Sequence, residues 1–101
     1  MLESFRTYQL AVRLHGECKK LKLPGYLRLQ LLRASSSICL NLAEGTSRPS
    51  RKEKQRFYAI AFGSLREVQA IMDLERGIPR EGLDLIDHLG ACLYRLTFPS
   101  N

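Results

Sequence analysis

Several patterns are missing from this chain, and each absence removes a class of function. No apolar run approaches the roughly 20 residues of a membrane-spanning helix, so a bilayer protein built on helices is not expected. The first ten residues, MLESFRTYQL, carry an acid at Glu3 and lack a secretory signal's basic start and apolar centre, so a cytoplasmic location is expected. Cysteine is scarce: Cys18, Cys39 and Cys92 are odd in number, widely spaced and free of any CxxC arrangement. That argues against a disulfide framework and against a zinc site. Each is expected to act as a small buried hydrophobe.

Catalytic signatures are missing too. A di-iron bundle needs Glu-x-x-His pairs facing inward, but Val12 stands three residues before His15 and Leu85 three before His88. Asp84 and His88 share an i,i+4 spacing, which is expected to be a solvated pair. His15 lies off the apolar stripe of its segment and is expected to be solvated as well. There is no GxSxG, no P-loop and no Cys–His arrangement. Glu44 and Glu67 resemble an acid–base pair in composition only, since nothing in the spacing makes them neighbours. A non-enzymatic chain without metal or cofactor is expected.

Acidic residues are also short over most of the chain. Residues 1–66 hold 13 Lys/Arg against 4 Asp/Glu, whereas residues 67–101 hold 3 against 6. This asymmetry suits a polyanion partner on the basic part, or self-association in which unlike parts meet.

What is present reads as one domain, 1–101, of 11.5 kDa with 45% hydrophobic and 26% charged residues. Ala11, Leu14, Cys18 and Leu21 recur at steps of three and four, which predicts a helix from Ser4, a plausible N-cap, to Leu21. Leu23-Pro24-Gly25 breaks it. A second helix is expected from Tyr26 to Glu44, with a core stripe of Leu27, Leu31, Ala34, Ile38 and Leu42. Leu32, Ser36, Cys39 and Ala43 run beside that stripe. So much apolar surface exceeds the arc of roughly 100° that one buried face uses, and contacts on two sides are expected. Small residues at Ala34 to Ser37 invite close helix approach. Gln30, Arg33, Ser37, Asn41 and Glu44 form a polar line, either a solvated face or a hydrogen-bonded seam. Gly45 is expected to end the helix as its C′ residue.

Ser50-Arg51-Lys52-Glu53 has the spacing of a capping box, which starts a third helix running to Arg76. Its stripe is Phe57, Ala61, Ser64, Val68 and Ile71, broadened by Tyr58, Phe62, Leu65 and Met72. Gly63 inside it costs about 1 kcal/mol relative to alanine; it marks either close approach of another helix at Gly63-Ser64 or a tolerated surface glycine. Gly77-Ile78-Pro79 stops the pattern and Pro79 opens a fourth helix to Thr97, with Leu83, Ile86, Leu89 or Gly90, Leu93 and Leu96 inward. No strand signal competes. The fold class is all-α, an up-down-up-down antiparallel four-helix bundle.

Two connected segments carry a family resemblance: Ser37-Ile38 with Asn41-Leu42-Ala43-Glu44-Gly45, then Ser50 to Lys54 with Ala61-Phe62-Gly63-Ser64-Leu65-Arg66-Glu67. They resemble the bacterial four-helix-bundle proteins encoded in intervening sequences of 23S ribosomal RNA genes, relatives of the accessory variability proteins of diversity-generating retroelements. Gln30 and Arg33-Ala34 fit the same pattern. The resemblance makes Asn41, Glu44, Gly45, Gly63, Ser64 and Glu67 a structural motif. It implies a bundle that assembles as a homopentamer with a basic surface. For retroelement members it further implies nucleic-acid binding and a reverse transcriptase as partner. Two features depart from the pattern: Cys39 replaces the usual proline, and Pro24-Gly25 stands where many members have a longer acidic segment.

Arg48, Arg51, Lys52, Lys54 and Arg56 cluster around one loop and helix start, opposed only by Glu53. With Lys19, Lys20 and Lys22 added, they are the candidate nucleic-acid-binding residues. Binding by charge and shape, with weak sequence preference, is expected. The alternatives are a scaffold that binds protein partners, and a charged surface that serves only to keep the chain in solution.

Overall fold

The computed structural model describes residues 2–75 and 79–99. In that span the chain forms four helices: α1 (Leu2–Lys20), α2 (Gly25–Ser47), α3 (Arg51–Leu74) and α4 (Arg80–Thr97). Each helix packs against two neighbours, α1 on α2 and α4, and α3 on α2 and α4. The fold is an all-α, up-down-up-down antiparallel bundle with principal extents of 40 × 22 × 18 Å. No helix among the described residues is long and apolar enough to cross a membrane.

The core follows from helical periodicity. Leu27, Leu31, Ala34, Ile38 and Leu42 of α2 are all buried, as are Ala11, Leu14 and Cys18 of α1 and Ala61, Leu65, Val68 and Ile71 of α3. Each fully buried leucine or isoleucine stabilises the fold by about 1.5–3 kcal/mol relative to exposure. Because α2 touches both α1 and α3, its surplus apolar surface is partly used: Leu32 and Cys39 are half-buried against the core. Ala43, on the same line, is exposed.

The helix ends differ from the sequence expectations in informative ways. Ser4 lies inside α1, which already begins at Leu2. Pro24 caps α2 with extended backbone, and Gly25 becomes its first helical residue. At the other end α2 runs past Gly45 to Ser47. Gly45 is therefore no C′ residue; it is buried, and a Cβ there would stand 2.7 Å from the Tyr58 ring and 3.2 Å from Phe57 Cβ. Its role is to let α3 lie against the last turn of α2. Gly63 behaves in the opposite way: a Cβ there meets nothing within 4 Å, so no helix of this chain approaches it.

Ser50 caps α3 as expected, accepting the Glu53 N–H at 3.1 Å. The return half of the box runs from the Ser50 hydroxyl to Glu53 Oε2 at 3.2 Å, not from the Ser50 backbone. The expected stop at Gly77-Ile78, and Arg76 before it, lie outside the described residues; Pro79 caps α4. On α4 Leu83 is exposed, while Gly82 and Leu85 turn inward instead. A stripe counted back from Leu93 by alternating steps of four and three reaches Leu89, Ile86 and Gly82, and glycine was invisible as a core residue in the apolar pattern.

Candidate nucleic-acid interface

The seam between α2 and α3 is polar along its outer margin. Arg33 pairs with Glu67 at 3.1 Å. One turn on, the Ser37 and Ser64 hydroxyls lie 2.9 Å apart. Asn41 Nδ2 donates to the Ser37 carbonyl at 2.9 Å and to its hydroxyl at 3.1 Å. The polar line of α2 is thus a hydrogen-bonded seam, not a wholly solvated face. Glu44 and Glu67 are not brought together: Glu67 belongs to Arg33, and Glu44 forms an i,i+4 pair with Arg48 near the far end of α2.

That end carries the basic turn. Arg48 closes α2 with its guanidinium over the Phe57 ring at 4.8 Å, and Arg56 lies over the same ring at 5.9 Å. The shielded Arg48 Nε has no hydrogen-bond partner, while the guanidinium charge is met by the Glu44 carboxylate and the Phe57 ring. Lys54 is committed elsewhere. Its Nζ donates to the Thr46 carbonyl at 2.9 Å and the Gly45 carbonyl at 3.4 Å, satisfying the orphan acceptors and negative dipole end of α2. Arg51, Lys52 and Arg56 are exposed, and none of them joins an ion pair among the described residues. Glu53 is taken up by the Ser50 cap. Three outward cations therefore surround a helix N-terminus, whose free amides and dipole favour an anion.

Lys19, Lys20 and Lys22 do not join this surface. Lys22 precedes α2 and Arg48 follows it, so the 23 residues of α2 separate them by about 34 Å. At their end of the bundle Lys20 pairs with Glu17 at 3.1 Å. Arg28, which sequence reasoning did not single out, donates to the Leu21 and Lys19 carbonyls at 3.0 and 3.3 Å. The signal was present: Arg28 sits three residues after the start of α2, as Lys54 sits three after the start of α3.

Two further clusters bear on chemistry. His15 is half-buried between α1 and α2, its Nδ1 2.6 Å from the Ser35 hydroxyl, and burial followed by the nearby Lys19 charge lowers its pKa. The expectation of a solvated histidine fails because buried Ser35 reaches across the helix pair. Burial also pushes the Cys18 thiol up to about 11 and raises Cys39. Thiols held protonated in this way, as at Cys18 and Cys39, are poor nucleophiles, and all three cysteines are free of disulfides. Asp84 and His88 are both exposed. No group of three or more potential metal ligands converges among the described residues.

Residues 3–78 match the family described as 23S rRNA-intervening sequence protein. The match spans most of the chain. The chain belongs to this family. In this intervening-sequence protein the matched stretch holds all but the first residue of α1, with α2, α3 and the basic turn, and α4 begins just beyond it. No curated protein and no solved structure matches the chain.

Proposed function

We propose that this intervening-sequence protein is a non-enzymatic, basic, homo-oligomeric bundle that binds nucleic acid, RNA or RNA paired with DNA, by charge and shape. The observation that carries the reading is the set of outward cations, Arg51, Lys52 and Arg56, near the N-terminus of α3, opposed there only by Glu53, whose carboxylate is hydrogen-bonded within its own cap. Repetition of that patch around an oligomer multiplies the phosphate contacts, and each contact adds about 0.9 to the salt slope on duplex DNA. The family kinship supports the bundle; the accessory role beside a retroelement reverse transcriptase is the finer part of the proposal. A pentamer is the assembly proposed, and light scattering that returns a stable monomer would remove it.

The test is a titration of labelled structured RNA at low and moderate salt. Salt-sensitive binding that is lost in an Arg51→Ala/Lys52→Ala/Arg56→Ala variant is the expected result. Binding insensitive to both salt and these substitutions overturns it. A second reading, a protein-interaction scaffold without direct nucleic-acid binding, draws on the exposed Leu29 and Leu40 of α2, 74% and 68% accessible. Surplus apolar surface on a small chain is commonly covered by a partner.

A further inference from the structure

The outer groove between α3 and α4 carries a feature that the charge argument leaves unused. Phe62 of α3 meets Tyr94 and Phe98 of α4 edge-on, with ring centroids 6.2 and 6.1 Å away, and Tyr94 and Phe98 stand 5.0 Å apart. Tyr94 and Phe98 are each 55% exposed, so ring surface faces solvent. The Arg66 guanidinium lies 5.5 Å over Phe62. The three rings and Arg66 border an open cleft of about 480 Å³.

The surroundings define an occupant. Arg56 is turned away, over the Phe57 ring on the α2 side of α3. Lys52 and Arg66 are exposed and lie near one line of the helix surface, since a step of fourteen residues falls only about 40° short of whole turns. They span about 21 Å of helix. Beyond Arg66 the groove changes sign, where Asp73 and Asp87 line its next section. The aromatic half is therefore flanked by cations and closed at its far end by carboxylates. An occupant complementary to it is an anion with flat apolar faces. Duplex nucleic acid hides those faces in its stack; unpaired nucleotides expose them.

We propose that the α3–α4 groove binds unpaired nucleotides, with bases stacked on Tyr94, Phe98 and Phe62 and phosphates on Lys52 and Arg66. This rests on the nucleic-acid reading above and specifies its substrate as single-stranded. Stacking on one aromatic changes affinity by about tenfold when the ring is removed.

The experiment compares a fluorescein-labelled, unstructured single-stranded RNA 12-mer with a blunt RNA duplex of the same length, by anisotropy at low salt. The proteins are the full chain, a Tyr94→Leu/Phe98→Leu variant that keeps apolar bulk, and the Arg51→Ala/Lys52→Ala/Arg56→Ala variant. Circular dichroism and light scattering accompany each. The expected result is a single-strand to duplex affinity ratio at least about tenfold lower in the leucine variant, with helicity and assembly size unchanged. An unchanged ratio overturns the stacking site while the charge-led reading stands. A change in assembly size instead assigns the rings to contact between copies, and overturns it too. If the full chain binds neither RNA, the underlying nucleic-acid reading falls with it. For a leucine variant that fails to fold, quenching of tyrosine fluorescence in the full chain by the single strand but not the duplex replaces the comparison; its absence counts against the proposal.

Discussion

The α1–α2 and α2–α3 connections lie at opposite ends of the bundle and solve one problem with one device. In each, a cation three residues into the new helix reaches back to the last carbonyls of the old one: Arg28 to Lys19 and Leu21, Lys54 to Gly45 and Thr46. A positive charge in a helix's first turn opposes that helix's own dipole. It is tolerated here because the preceding helix presents a negative end to the same charge. The two connections differ in their packing. Gly45 lies within van der Waals overlap of the Tyr58 ring for any added Cβ, whereas Gly25 faces open space. One end is locked by close contact of backbone and ring, the other held chiefly by the cap. Basic residues around a turn are thus not equivalent: some close the fold, and the remainder stay exposed.

The largest test of this contrast is at the glycines. Gly45→Val should destabilise by about 2–3 kcal/mol through overpacking against Tyr58 and Phe57, which lowers the melting temperature by roughly 10–20 °C. Gly25→Ala should lie within about 0.5 kcal/mol of the parent or raise stability slightly. Equal effects at the two sites would abolish the distinction. The caps come next. Arg28→Met and Lys54→Met should each cost about 1 kcal/mol in urea denaturation. Acting at opposite ends of the bundle on separate partners, they should add to within about 0.5 kcal/mol. Lys54→Met should also leave RNA affinity closer to that of the parent than Arg51→Ala does. A reversed order would show that Lys54 serves a ligand before it serves α2.

The smallest effect is expected in the pH dependence of the α1–α2 pair. With its folded pKa below the ordinary value of about 6.5, His15 binds protons more weakly when folded. The unfolded chain then holds the extra proton, so stability is complete above about pH 7 and declines as pH falls through 6.5 toward the folded pKa. His15→Gln should flatten that part of the profile in thermal melts from pH 7.5 to 5.5. An unaltered slope would place the titrating group elsewhere.

The fold was legible because apolar residues of α1, α2 and α3 recur at helical spacing, and because Ser50 and Glu53 announce a helix start. The misreadings have specific causes. Gly45 looked like a stop because glycine commonly ends helices, whereas its function depends on Tyr58, thirteen residues on and across a helix pair. Gly63 suggested close approach, yet the small side faces solvent within this chain. In sequence His15 reads as solvated because its partner, Ser35, sits on another helix. The basic residues of the candidate interface were visible as a list; their sorting was not. Lys54 and Arg51 are alike in sequence, and only the geometry of the preceding helix end separates cap from free charge. The aromatic groove escaped notice because Phe62 lies 32 residues from Tyr94, with no local pattern joining them.

The ladder along α2 and α3 also limits how the molecule moves. The larger slides of packed helices ratchet by one turn, about 5.4 Å. Such a step would separate Arg33 from Glu67, part the Ser37 and Ser64 hydroxyls, and set a residue with a Cβ against Tyr58 in place of Gly45. Three unrelated penalties fall on the same coordinate. The pair α2–α3 is therefore a single lever, and a ligand pulling on the basic turn must tilt or shift it whole.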